Sequence, residues 1–323
     1  MIRLSDVQDA RDRIAGRVHV TPVFTATLLG QRMPGAPRVF IKCENFQKTG
    51  SFKSRGALNK IDRLTPNERS RGVVTVSAGN HAQGVAWASR AAGVRATVVM
   101  PESASRAKVE ASRGYGAEVV LHGKSSIEAL ARARELEAEH GFVFVHPFDD
   151  PLVAAGAGTV ALEFDDQVRA LGERLDVVVI PIGGGGLIGG MASAYAELQP
   201  DLHVYGVEPE GAASMRGSLD AGHPIQMTSV RTIADGLGAP SAGALAFEVV
   251  KRAVRDVVVI PDEAIATGVR ELLLYTKLLA EPSGAACVGA LHAGAIPDVA
   301  GKRVGVVLSG GNVDLGTLAR LIS

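Results

Sequence analysis

The chain carries only two cysteines, Cys43 and Cys287, far apart and in neither a CxxC pair nor a Cys/His cluster. Neither a disulfide framework nor a zinc site is therefore indicated, and the usage fits a reducing cytoplasm. Lysine plus arginine and aspartate plus glutamate both total 34, so the net charge is zero. Such a chain exerts no long-range pull on nucleic acid or an anionic membrane, and a small-molecule partner is expected instead. No uncharged apolar run approaches the ~18 residues of a membrane span. The opening MIRLSDVQDARDRI is charged throughout, so a signal peptide is not expected either. Aromatics are scarce at 4%, and neither an internal repeat nor a low-complexity tract is visible.

What is present is apolar residues, 46% of a 323-residue chain, and 38 glycines. That length buries one large core or two modest ones. From about residue 70, short β-branched runs alternate with amphipathic stretches, the pattern of βαβ units and a parallel sheet. Strands are expected at Val73 to Ser77, Ala96 to Met100, Glu118 to Leu121 and Phe142 to Val145. A second series is expected at Asp176 to Ile182, His203 to Val207, Val257 to Ile260 and Val304 to Leu308. Helical spacing joins Ile127 to Leu136, Leu187 to Leu198 and Ile265 to Leu279. The fold class is α/β. The first 70 residues lack a complete βαβ set, which favours a discontinuous large domain, 1–70 plus 149–323, around a small mobile domain, 71–148.

Four glycine-punctuated loops carry the chemistry. In Lys48-Thr-Gly-Ser-Phe-Lys53, Gly50 and Ser51 are expected to form a turn and a helix cap, with Lys53 in the first helical turn. Backbone N–H dipoles there disfavour an ammonium, which helps a lysine attack an aldehyde. A solvated surface lysine is the ordinary alternative. The run Gly183-Gly-Gly-Gly186-Leu187 follows an apolar strand, and its missing Cβ atoms let N–H groups converge on a phosphate. The run is not GxGxxG, which weakens the dinucleotide reading, and no Gly-Lys-Ser/Thr follows it to make a nucleotide P-loop. Ser77-Ala78-Gly79-Asn80-His81 ends another strand and could grip a carboxylate, although a plain turn capped by Asn80 or Ser77 has the same composition. Ser309, after the last strand, could meet a ligand heteroatom or lie in an ordinary turn. No GxSxG elbow and no zincin histidine spacing occurs.

These loops, with Glu44-Asn-Phe-Gln, Ile233-Ala-Asp-Gly236 and Leu279-Ala-Glu-Pro282 in the same order, resemble the fold-type II pyridoxal phosphate enzymes. The similarity covers nearly the whole chain and points to the branch of threonine/serine dehydratases and serine racemases. It implies two open twisted sheets flanked by helices, tryptophan synthase β-like, with pyridoxal 5'-phosphate in the interdomain cleft. It implies that Lys53 holds the cofactor as a Schiff base and that Phe52 lies against the ring. Gly183, Gly184, Gly185, Gly186 and Leu187 would bind the phosphate, Asn80 the ring hydroxyl, Ser309 the pyridine nitrogen, and Gly236 would approach by its backbone. Ser77, Ala78, Gly79, Asn80 and His81 would surround the substrate carboxylate.

The implied reaction is β-elimination and deamination of L-threonine or L-serine to a 2-oxo acid and ammonia. Serine racemase and threo-3-hydroxyaspartate ammonia-lyase are the alternatives, and a cofactor-free small-molecule binding protein is the alternative of a different class. The family's racemases place a serine where this chain has Ala78, which favours the dehydratase. Metal-dependent relatives use a glutamate, a backbone carbonyl and an aspartate; Glu208 and Ala212 match the first two, but Ser214 replaces the third. A divalent cation is doubtful on that count, and Glu208 reads equally as a helix-cap or interface carboxylate. The segment Ala155-Gly-Ala-Gly-Thr159 has alanine where relatives usually carry glutamine. A cytoplasmic homodimer or homotetramer is expected. The short stretch after Ser309 leads to the expectation of no C-terminal regulatory domain.

Overall fold

Short β-branched runs become strands, and glycine, proline and aspartate mark their ends. The computed structural model describes residues 2–323. Its strands are β1 (Val23–Thr25), β2 (Arg38–Cys43), β3 (Val73–Val76), β4 (Ala96–Met100), β5 (Glu118–Leu121), β6 (Val143–Phe144), β7 (Val177–Pro181), β8 (His203–Pro209), β9 (Asp256–Ile260) and β10 (Arg303–Leu308). A six-stranded sheet has the order β1-β2-β10-β7-β8-β9, and a four-stranded sheet the order β5-β4-β3-β6. Every pairing is parallel except that of β1 with β2. The chain is α/β with two sheets flanked by helices, the arrangement that the resemblance implied.

Both faces of each sheet are covered, so the central strands read as unbroken apolar runs. Residues alternate between faces. Val178 and Ile180 point into one core with Phe164 and Met191, while Val177 and Val179 point into another with Leu272 and Val288. The four-stranded sheet is treated likewise, with Val73 and Val98 on one side and Val74 and Val99 on the other. β2 was not anticipated, because Arg38 and Lys42 interrupt its pattern. Lys42 is in fact fully buried, its ammonium held by Glu163 Oε1 at 2.6 Å and Thr21 O at 2.7 Å.

Two helices set the spacing behind the site. Asp150 caps helix Pro151–Ala170 by accepting from Leu152 N at 2.8 Å, with proline in the first turn. That helix packs on helix Gly186–Leu198 backbone to backbone: a Cβ on Gly158 would stand 2.8 Å from Gly190 O. The helix expected over 265 to 279 runs instead over Asp262–Thr276, because Lys277 adopts a left-handed conformation (φ 63°) and ends it. Leu279 therefore lies beyond the helix.

Candidate active site

The four glycine-punctuated loops all leave the C-terminal ends of parallel strands: 44–53 after β2, 77–80 after β3, 182–186 after β7 and 309–314 after β10. Open parallel sheets bind ligands at that edge. Hydrogen bonds join the loops into one cluster. Phe52 N donates to Ser309 O at 3.1 Å, and Ser51 bridges Gly310. Glu281 N donates to Gly310 O at 3.2 Å. Asn312 Nδ2 donates to Asn80 Oδ1 at 2.8 Å and to Thr49 O at 2.7 Å. Gly236 N donates to Ser283 Oγ at 2.8 Å, and a Cβ on Gly183 would stand 3.0 Å from Gly236 O.

Lys53 is the first residue of helix Lys53–Asp62, preceded by a turn in which Thr49 and Gly50 have φ of 62° and 71°. The expected cap is corrected: Ser51 is extended, Phe52 occupies the cap position without a side-chain bond, and Ser51 Oγ is buried without a partner. Ser51 serves the bridge to Gly310 instead. Lys53 Nζ donates to Pro147 O at 2.8 Å and lies 5.1 Å from the Phe52 ring centroid. Burial lowers its pKa to about 8, with the Glu281 charge pulling the other way. The helix start is clamped by Arg55, which donates to both Glu44 oxygens at 2.8 Å and to Glu163 Oε2 at 3.1 Å.

The glycine run forms a cradle that admits no side chains. Gly185 has φ of 94°, and a Cβ there would stand 2.5 Å from Ala246 Cβ. Cβ atoms on Gly184 would overlap the Phe148 ring. Helix Gly186–Leu198 starts here, so its first N–H groups open toward the loop. Leu187 sends its side chain into the core, leaving only its backbone for a ligand.

Ser77 Oγ accepts from Gly79 N at 3.1 Å, and Asn80 begins helix Asn80–Ala91. Ala78 is half-buried and packs against the small-sheet core. His81 is buried with Nε2 on Val145 O at 3.1 Å and Nδ1 unpartnered; burial depresses its pKa to about 3, so the ring is neutral. Ser309 Oγ makes only a long contact to Ser283 O, 3.4 Å. Buried Asn45 Oδ1 and Thr49 Oγ1 have no partner.

Several residues that shape this site were given no role in the sequence. Glu281 accepts from Asn80 Nδ2 at 2.5 Å, and burial raises its pKa to about 7. The motif Leu279-Ala-Glu-Pro282 was its only signal. Pro147 and Phe148 follow β6, and only the tertiary fold brings them against Lys53 and Gly184. Glu208, Ala212 and Ser214 lie elsewhere, at the end of β8. Glu208 accepts from Met215 N and Arg216 N, both at 2.8 Å, and burial raises its pKa to about 7. Among the described residues no three His, Cys, Asp or Glu side chains converge as a metal-ligand set.

The family model described as pyridoxal-phosphate dependent enzyme matches residues 14–310. The chain belongs to this family. The residues present fit a pyridoxal-phosphate dependent enzyme: a depressed-pKa lysine, a cradle that side chains would fill, and the orphaned buried hydroxyls of Thr49 and Ser51 in the lysine's own loop. The chain is 42% identical over 323 residues to an L-threonine ammonia-lyase of Thermotoga maritima, covering 100% of this chain and 79% of that protein. It is 40% identical over 321 residues to an L-threo-3-hydroxyaspartate ammonia-lyase of Saccharomyces cerevisiae, covering 98% and 95%. Among solved structures, maize serine racemase superposes with a TM-score of 0.92 at 38% identity, covering 99% of this chain and 96% of that one. No helix among the described residues is long and apolar enough to cross a membrane.

Proposed function

We propose that this enzyme is an ammonia-lyase that converts L-threonine or L-serine to the corresponding 2-oxo acid and ammonia. The observation that carries the reading is Lys53 Nζ, 2.8 Å from Pro147 O, while the adjoining Phe148 ring covers Gly184 of the phosphate-binding cradle. Bound pyridoxal 5'-phosphate supplies an aldehyde for imine formation and a ring that draws electrons from the substrate's α-carbon.

Lys53 would hold the cofactor and would accept the substrate's α-proton at Nζ. Its lowered pKa gives it a usable fraction of free amine near neutrality. Ser309 would offer the pyridine nitrogen a neutral hydroxyl, which would not fix a proton there as a carboxylate would. Elimination of the β-hydroxyl is thereby favoured over transamination. The first N–H groups of helix Asn80–Ala91 and the Ser77 hydroxyl receive the substrate carboxylate. The Ala78 methyl cannot return a proton to the face opposite Lys53, which separates this enzyme from a racemase.

The small mobile unit would be 71–148, closing on 1–70 plus 149–323. The four-stranded sheet comes wholly from 73–144, and Lys108 Nζ pairs with Asp235 at 2.9 Å between the two parts. Free, buried Cys43 and Cys287 support a cytoplasmic setting, and exposed Phe24, Leu28 and Leu315 support assembly into a homodimer or homotetramer.

The test is incubation of the cofactor-loaded protein with L-threonine, L-serine and threo-3-hydroxyaspartate, following 2-oxo acid and the chirality of the remaining amino acid. 2-Oxobutyrate or pyruvate without D-isomer is expected. Turnover confined to hydroxyaspartate, or accumulation of D-serine, would replace the reading by one of its rivals. Failure to take up pyridoxal phosphate would make the chain a binding protein.

A further inference from the structure

Resting on the reading of Gly183 to Gly186 as the phosphate-binding turn, we infer that Glu208 is a cofactor-positioning residue that works without a metal. The resemblance makes this position a cation ligand in metal-dependent relatives; here its carboxylate bonds backbone N–H groups directly instead. Glu208 is fully buried at the end of β8, and its two oxygens accept separately from Met215 N and Arg216 N at 2.8 Å. Those donors belong to the first turn of helix Ser214–Ala221. A carboxylate bonded to two first-turn N–H groups satisfies orphan donors that would otherwise need water or an ion.

The charge around this point argues against a dication. Hard divalent ions need several oxygen ligands and more than one anionic one when buried. Here Glu208 is the sole carboxylate of the proposed set, because Ser214 contributes a buried neutral hydroxyl that has no partner. Arg216, on the same turn, adds positive charge of its own, although its guanidinium reaches out to Asp220 and Asp256.

The consequence reaches the active site through one side chain. Met215 is fully buried, and its Cε lies 3.2 Å from where a Cβ on Gly185 would stand. Gly185 is the left-handed residue at the head of helix Gly186–Leu198. Glu208 holds the Met215 backbone, Met215 packs against Gly185, and Gly185 sets the direction of the cradle N–H groups. Loss of the carboxylate loosens the cradle, and no metal substitutes for it.

The experiment is a titration of pyridoxal phosphate into resolved protein, read by visible absorbance, beside the Tm of the loaded protein. Both are measured after exhaustive treatment with EDTA and again with Mg²⁺, Ca²⁺ or K⁺ added. For the wild type, Kd and Tm are expected to be unchanged by every treatment. Glu208→Ala is expected to weaken cofactor binding about tenfold, the scale of one lost cap, with no recovery on adding any cation. Ser214→Asp, which leaves the cap intact, is expected to gain a Tm response to Mg²⁺ or Ca²⁺; that variant decides the matter if Glu208→Ala does not fold.

A wild-type Kd that rises on chelation and is restored by any of the three ions overturns the inference. So does a folded Glu208→Ala with unchanged Kd, or a Ser214→Asp that ignores divalent ions. Wild-type protein that never acquires the visible band overturns the cofactor reading instead, and its Tm with and without chelator still answers the cation question.

Discussion

Asn80 and Glu281 are 201 positions apart in sequence, yet the Asn80 amide donates to Glu281 Oε1 at 2.5 Å. The bond joins the loop after β3 of the small sheet to the segment that supports the β10 loop of the large one. Asn312 donates to the other side of Asn80, so a single amide ties three loops together. Glu281 is almost wholly enclosed, and its pKa of about 7 reflects burial, opposed by the Asn80 bond and the Lys108 charge.

Glu281 should make stability depend on pH. Its folded pKa of about 7 exceeds the ordinary 4.5. Between those values the folded protein retains a proton that the unfolded chain has lost, so stability falls as pH rises through the window and the loss is complete above it. Glu281→Gln removes that titration. In cofactor-stripped protein, the Tm of wild type relative to Glu281→Gln should fall between pH 4.5 and about pH 7. His81 works in the opposite sense from about 3 upward, but it is common to both proteins and cancels. Parallel Tm profiles would reject the assignment.

Lys53→Ala should abolish turnover and leave the fold intact, since the side chain contacts only Pro147 O by hydrogen bond. Borohydride treatment of the loaded wild type should fix the cofactor to the peptide containing Lys53, and mass spectrometry should find no such adduct in the variant. The wild-type rate of cofactor attachment should climb with pH and level off above about 8 rather than near the ordinary 10.5.

Arg55→Leu should destabilise the protein by about 3–5 kcal/mol, the scale of breaking a buried ion pair from one side. It leaves fully buried Glu44 without its bidentate partner and Glu163 with Lys42 as its remaining cationic partner. Arg55→Lys should lose less, because it keeps the charge but not the fork. Urea denaturation measures both, and a change below about 1 kcal/mol in Arg55→Leu would remove the network from the account of how Lys53 is held.

Gly184→Ala should weaken pyridoxal phosphate binding at least tenfold, about 1.4 kcal/mol, because its Cβ meets the Phe148 ring. Absorbance titration tests this. Gly79→Ala is the control on the neighbouring loop, where a Cβ meets nothing within 4 Å; equal losses in the two would show that the cradle's tightness is not what binds the phosphate.

On the proposed reading that position 78 faces the substrate opposite Lys53, Ala78→Ser should raise any D-isomer formed from L-serine. Chiral analysis of residual serine reads the effect, and an unchanged D-serine yield would remove Ala78 from the account of reaction choice.

Much of this protein was legible in its sequence, for a physical reason: strand and helix periodicity is local. The runs at 96–100 and 118–121 became β4 and β5 with no change of boundary. The Lys53, Asn80, glycine-run and Ser309 loops stood out because glycines after apolar strands mark backbone that can approach a ligand. β2 escaped because Lys42 breaks its pattern, and nothing local shows that Glu163, 121 positions away, will neutralise it. Glu281 escaped in the same way, since its buried state depends on Gly310 and Asn80. The sequence alone determined the α/β class and the chemical groups on offer. Tertiary structure decided which charges are buried, which loops cluster together, and that Glu208 spends its carboxylate on backbone N–H groups, because each depends on residues brought together from distant parts of the chain.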